Sequence, residues 1–128
     1  MNNEKLKKKV NYIANELIYI KGFIAPVDLL MEMDILSKKD YENWRFGRVK
    51  YLEKVCRLNL KKLSLVMREL RKFANKNKLK PSQTVYKKWG KGRKITLQFS
   101  KYNNPKIEKH YKTHYVDLKR VKELKSNK

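Results

Sequence analysis

The chain has 128 residues, enough for one domain, with 34 Lys+Arg against 12 Asp+Glu and a formal charge of +22 at pH 7. Its hydrophobic fraction of 41%, with 14 aromatic residues, can fill a core and argues against general disorder. No stretch nears the roughly 20 apolar residues of a membrane span, and Cys56 stands alone, which excludes an internal disulfide and a Cys/His zinc pattern. Lys5 and Lys7 to Lys9 are not followed by the apolar run of a signal peptide, so a reducing, cytoplasmic setting is expected.

The charge is unevenly placed. Residues 1–46 hold 8 basic and 7 acidic residues, whereas residues 47–128 hold 26 and 5. Between Glu69 and Glu108, 38 residues carry 12 cations and no acid. Like charges repel, and a polyanion relieves that repulsion. The division expected is a near-neutral helical scaffold, residues 1–46, which can also meet a protein partner. A basic part, residues 47–124, then belongs to the same domain, and residues 125–128 fray.

In chain order, residues 4–20 read as an amphipathic helix with Leu6, Val10, Ile13, Leu17 and Ile20 on one face. Asn3 can cap its start, and Gly22 stands where a C-cap belongs. Pro26 suits the first turn of a short helix over 26–33, with Val27, Leu30 and Met31 inward. Ser37 and Asp40 form a capping signal for a third helix near 38–46. Gly47 then breaks the pattern.

Residues 48–78 give the longest periodic segment. Val49, Leu52, Cys56, Leu60, Leu63, Met67, Leu70 and Ala74 recur at spacings of three and four. Lys50, Lys54, Arg57, Lys61, Arg68 and Lys72 fall within about 60° on the opposite side of a helical wheel. This predicts one long basic helix, or two helices if Asn59 or Ser64 marks a break. Tyr51, Leu58 and Leu65 form a smaller apolar line beside the basic stripe.

Pro81 ends that region. Residues 84–89 and 94–100 then alternate as two strands around the loop Gly90-Lys91-Gly92-Arg93, a glycine-containing hairpin. Asn104 and Pro105 open a final helix whose inward face is Ile107, Tyr111, His114, Leu118 and Val121. The fold class expected is α+β: three short helices, a long basic helix, one hairpin and a C-terminal helix.

Four constellations bear on function. The helix stripe of Lys50, Lys54, Arg57, Lys61, Arg68 and Lys72, with Arg71 beside it, can track a phosphate backbone and displace counterions. The hairpin residues Tyr86, Lys87, Lys88, Lys91, Arg93 and Lys94 can enter a groove or straddle a backbone. Glycines in its loop permit close approach to phosphates. Tyr86 is expected on the outer face with Lys88, Thr96 and Gln98, and Trp89 as core filler. Around Gly47, Trp44 anchors the third helix, and Asp40 or Glu42 offers Arg45 a carboxylate. Last, His110, His114 and Asp117 share a helical face, a triad more simply read as structural than as metal-binding. Neither paired carboxylates for two-metal cleavage nor a Walker-type phosphate loop occurs.

Helices, a basic helix, a hairpin and a closing helix resemble the winged helix-turn-helix arrangement over residues 24–100. The string Trp44-Arg45-x-Gly47, Tyr51-Leu52-Glu53, Trp89-Gly90, Leu97-x-Phe99-Ser100 and His114-Tyr115 resembles small uncharacterised bacterial proteins and implies no activity. The function expected is non-enzymatic binding of nucleic acid, duplex DNA before RNA, without cofactor or metal and without membrane. Sequence reading would fall to Tyr86, Arg71 and Gln98. The alternatives are an RNA-binding protein, a phage- or plasmid-type inhibitor of an acidic protein surface, and a metal-independent nuclease or toxin using His110 and His114.

Overall fold

The computed structural model describes residues 2–126, which form an α+β fold of six helices and a small antiparallel sheet. The order is α1 (Asn3–Lys21), β1 (Phe23–Ile24), α2 (Pro26–Glu32), α3 (Lys38–Arg45), a 3-10 turn (Leu52–Val55), α4 (Leu60–Lys76), β2 (Lys80–Gln83), α5 (Pro105–Lys112), β3 (Thr113–Val116) and α6 (Leu118–Ser126). Lys125 and Ser126, expected to fray, belong to α6; residues 127 and 128 lie outside the described residues.

Side-chain caps start α1 and α3, while α2 starts at Pro26 without one. Asn2, rather than Asn3, accepts the Lys5 amide at the start of α1. Gly22 closes the helix at φ 82°, a left-handed conformation. A Cβ there would lie 2.6 Å from Val121 Cγ2, so glycine also admits the close approach of α6. Ser37 Oγ accepts the Asp40 amide and starts α3 as anticipated. Leu6, Val10, Ile13, Ala14 and Leu17 are buried, but Ile20 is exposed. In α2 the buried residues are Pro26, Val27, Leu29 and Leu30, with Met31 only half-buried.

The single long helix over 48–78 is not formed. Residues 52–55 make a 3-10 turn, Cys56 leaves it with extended backbone, and Asn59 caps α4 by accepting the Lys62 amide. Asn59 is thus the break that the sequence offered. The cause lies outside the segment. Leu52 N donates to Gln98 O and Glu53 N to Phe99 O, while Arg57 N donates to Ile35 O, so these backbone groups find distant partners instead of a helical ladder. Leu60, read as inward, is 62% exposed. From Leu63 onward the pattern holds: Leu63, Val66, Met67, Leu70, Phe73 and Ala74 are buried, and α4 packs against α1.

The sheet has strand order β1-β3-β2 and is not made from the alternating segments 84–89 and 94–100. Phe23 pairs with Val116 and Ile24 with Tyr115 on one side; Lys80, Pro81, Ser82 and Gln83 pair with Val116, Tyr115, His114 and Thr113 on the other. Pro81 is tolerated because β2 is an edge strand. The expected hairpin survives only as a ribbon within the β2–α5 connection, where Lys87 bridges Thr96. Leu97 N donates to Tyr86 O and Lys88 N to Ile95 O, at 2.8 and 2.9 Å.

The continuous C-terminal helix is also corrected. Asn104 caps α5 as expected, accepting from Lys106 N and Ile107 N. The chain then extends at Thr113, φ −90° and ψ 114°, to serve as the central strand. Asp117 Oδ1 accepts the Arg120 amide and restarts the helix as α6. His114 therefore lies on a strand and shares no helical face with His110. Ile107 and Leu118, read as inward, are exposed.

One buried cluster joins both charge regions. Trp44, fully buried, lies 5.0 Å from Phe99 and 5.6 Å from Tyr86 between ring centroids, and Phe99 stacks on Tyr111 at 5.1 Å. Trp44 Nε1 donates to Gln98 O at 2.8 Å, which ties α3 to the ribbon. The ring of His114 stacks on Phe23 at 5.8 Å, with Nε2 3.2 Å from Tyr86 Oη.

Burial lowers the pKa of His114 against a smaller opposing effect of Asp28; burial also lowers that of His110, helped by Arg71, Lys106 and Lys109. The folded protein thus keeps both imidazoles neutral at pH values where the unfolded chain takes up protons. Stability from these groups is complete above the ordinary histidine pKa of about 6.5 and is lost as pH falls from there toward the folded values. Thermal melts stepped downward through that window should show a decline that a double His110→Gln, His114→Gln variant flattens.

Candidate nucleic-acid interface

The predicted cations separate into three groups. The first is the ribbon. Lys87, Lys91, Arg93 and Lys94 are exposed, and Lys88 is half-buried with its stem along Gly47. Lys87 Nζ donates to Thr96 Oγ1 at 2.8 Å, and Lys94 Nζ to Lys88 O at 3.4 Å, contacts that leave both ammonium groups at the surface. Gly92, at φ 100°, has nothing within 4 Å of where a Cβ would be, so the tip stands open.

The ribbon is held rigidly at its base. Trp89 N donates to Arg45 O at 2.7 Å, and the Trp89 ring meets Tyr41 and Phe46 edge-on at 5.7 and 5.6 Å. The Arg45 guanidinium lies over Tyr86 and Trp89, 5.1 and 4.6 Å from their centroids. It does not take the expected carboxylate from Asp40 or Glu42; its charge is held by two aromatic faces. Trp89 is the packing residue anticipated.

The second group is the outer face of α4. Lys61, Arg68 and Lys72 are exposed opposite the buried stripe, and Lys76 continues the row one turn on. Lys76 was legible as the i+4 neighbour of Lys72 but was not named. A helix of 17 residues spans about 25 Å. The third group is Lys50, Lys54 and Arg57, all exposed, but around the 3-10 turn and so off the α4 stripe.

None of the three residues named for sequence reading presents a free side chain to solvent. Tyr86 is buried in the aromatic cluster, not on the outer face, and burial raises its hydroxyl pKa. Gln98 spends its amide on the carbonyls of Ser100 and Lys101. Arg71 is half-buried beside a cleft between α4 and α5.

Four of the five acids of the basic half accept from neutral donors, and the fifth, Glu123, pairs with Arg120. Glu53 Oε2 accepts Tyr111 Oη at 2.7 Å. Glu69 accepts Asn11 Nδ2 at 3.0 Å. Glu108, buried, accepts Phe99 N, Ser100 N and Ser100 Oγ at 2.9, 2.7 and 2.7 Å. Asp117 caps α6. Among the described residues the ion pairs are Lys7–Glu4, Lys21–Asp28 and Arg120–Glu123, so none involves the ribbon or the exposed face of α4. Carboxylates that would usually neutralise such cations serve neutral donors instead.

No group of three or more His, Cys, Asp or Glu among the described residues is arranged to hold a metal ion. Burial pushes the Cys56 thiol up to about 12, with Glu53 and Asp40 adding to the effect, so it is protonated and a poor nucleophile at neutral pH. No helix among the described residues is long and apolar enough to cross a membrane. Compared with protein-family models, curated proteins and solved structures, the chain has no match in any of the three.

Proposed function

We propose that the chain is a non-enzymatic nucleic-acid-binding protein whose target is duplex DNA. The observation that carries this reading is that Glu53, Glu69, Glu108 and Asp117 accept from neutral donors, while Lys61, Arg68, Lys72 and Lys76 of α4 and the exposed cations of the ribbon take part in none of the ion pairs among the described residues. A folded, rigidly based cationic ribbon and a cationic helix face suit a phosphate backbone, where each neutralised phosphate releases a counterion.

We also propose a winged helix-turn-helix arrangement, supported by different elements from those the sequence suggested. α1, β1, α2, α4, β2 and β3 come in that chain order, with α3 and the 3-10 turn inserted before α4, and β3 lies between β1 and β2. In this arrangement α4 stands as the helix offered to a groove. The ribbon and α5 are carried within the connection between the two longer strands and act as an enlarged wing. The cations of α4 and the ribbon contact phosphates, and base reading does not depend on Tyr86.

Competition among labelled duplex DNA, single strands and folded RNA tests the reading. Duplex DNA is expected to displace the others. Preference for folded RNA would move the protein to the RNA-binding class, and failure to bind any of them would overturn the proposal. Co-purification with one stable acidic protein, with no nucleic-acid binding, would point to the inhibitor alternative.

A further inference from the structure

The cleft between α4 and α5 has a volume of about 390 Å³ and is separate from the ribbon. Two apolar side chains stand exposed at it: Leu60, from the first turn of α4, and Ile107, from the first turn of α5. Both were expected to face the core, and neither is spent there. Between them the wall is Met67 and Tyr111, both buried.

The polar side of the cleft is cationic. Arg71 and Lys106 line it with His110, and both cations disfavour the protonated form of that imidazole. Arg71 Nη1 is buried and makes no hydrogen bond with any group of the protein. That nitrogen is itself closed to water, so an anionic oxygen in the cleft meets the charge of the guanidinium where Arg71 lines the wall, and the cation's missing acceptor makes a neighbouring anion favourable. Glu53 also lines the cleft, but its Oε2 already accepts from Tyr111 Oη at 2.7 Å. The backbone amides of Lys106 and Ile107 are occupied by Asn104 Oδ1, so the cations, not the start of α5, supply the anion contacts.

An apolar slot beside an unsatisfied guanidinium and a lysine fits a phosphate monoester on a flat, largely apolar body. We infer that this cleft binds a nucleoside monophosphate unit, its phosphate on Arg71 and Lys106 and its base between Leu60 and Ile107. A free mononucleotide and the phosphorylated end of a strand share that chemistry. Choosing the strand end rests on the nucleic-acid reading above; the cleft itself does not.

The test uses the full chain with adenosine monophosphate in calorimetry, and short oligonucleotides carrying a terminal phosphate or a terminal hydroxyl in fluorescence anisotropy. Arg71→Gln and Lys106→Gln are the cleft variants, Lys106 being exposed and safe for folding. Lys91→Gln is the ribbon control. If the strand end is the ligand, the terminal phosphate improves affinity at least about tenfold, the value of one charge-assisted contact, and both cleft variants remove the preference. Lys91→Gln weakens both oligonucleotides alike and keeps the preference. If the free nucleotide is the ligand, adenosine monophosphate binds, the cleft variants abolish binding, and the oligonucleotide ends do not differ. No binding of the mononucleotide together with no end preference overturns the cleft assignment. Salt-sensitive oligonucleotide binding in that case leaves the nucleic-acid reading intact, and its absence removes that reading as well.

Discussion

Glu108→Ala is expected to destabilise the protein by roughly 3–5 kcal/mol, a large share of the 5–15 kcal/mol typical of a folded domain. Glu108 is buried with only 4% of its surface exposed, and its carboxylate holds two backbone amides and one hydroxyl. Truncation leaves the Phe99 and Ser100 amides without acceptors in a dry site, at about 1–3 kcal/mol each, and adds a cavity. Ser100 Oγ also loses its acceptor, although Asn104 N still donates to it at 3.2 Å. Glu108→Gln keeps one acceptor oxygen and turns an NH2 toward a donor, so about half the loss should remain. Ser100→Ala, which removes the hydroxyl's contacts with Glu108 and with Asn104 N but keeps the carboxylate, should cost about 1–2 kcal/mol. Urea unfolding of the three variants gives the order directly. A Glu108→Ala cost under about 1 kcal/mol would mean that the carboxylate is not the anchor of the ribbon.

That role was invisible in the sequence for a definite reason. Glu108 marks the end of the acid-free stretch, and by composition it is one acid among many lysines. Its partners are nine and eight residues away, outside the reach of any helical or strand period. The same limit explains the larger corrections. Val49, Leu52 and Cys56 keep helical spacing with Leu60, yet the backbone of 52–57 bonds to Gln98, Phe99 and Ile35. His114 fits the helical row from Ile107 to Val121, yet Thr113–Val116 is taken by strands that arrive from residues 23–24 and 80–83. Tertiary pairing overrode local propensity in both places. Chemical and local signals fared better: Ser37, Asn104 and Gly22 cap the helices as read, and the cap of α1 falls one residue early, on Asn2 instead of Asn3.

The site was legible in its charges and not in its recognition. Twelve of the thirteen residues expected to meet nucleic acid are cations of the ribbon, of α4 or of the 3-10 region, all exposed except Lys88 and Arg71, which are half-buried. Tyr86 departs from this because alternation in a short ribbon does not say which face meets the core. Leu97 and Phe99 are buried on the same side as Tyr86, and Trp44 closes over them. A ribbon with one face in the core can offer only its other face and its tip to a ligand, and those positions are Lys87, Lys91, Arg93 and Lys94.

Two sets of charge removals should therefore produce the largest functional effects. One replaces Lys87, Lys91, Arg93 and Lys94 by Gln; the other replaces Lys61, Arg68, Lys72 and Lys76. All eight are exposed, so folding should change little, and relief of self-repulsion can even stabilise. With six to ten phosphates contacted, the parent's affinity for duplex DNA should fall roughly 10³–10⁵-fold between about 50 and 200 mM salt. Each phosphate contact removed should lower the slope of log affinity against log salt by about 0.9. If the ribbon and the α4 face both touch the backbone, each set reduces the slope, and the combined variant loses nearly all of it. If only the ribbon touches, the α4 set leaves the slope unchanged and confines the interface to the wing. An affinity of the parent that does not respond to salt, or a slope that survives both sets, is incompatible with a phosphate clamp. The comparison rests chiefly on charge, because Gln, although shorter than Lys or Arg, keeps a polar hydrogen-bonding end while releasing no counterion.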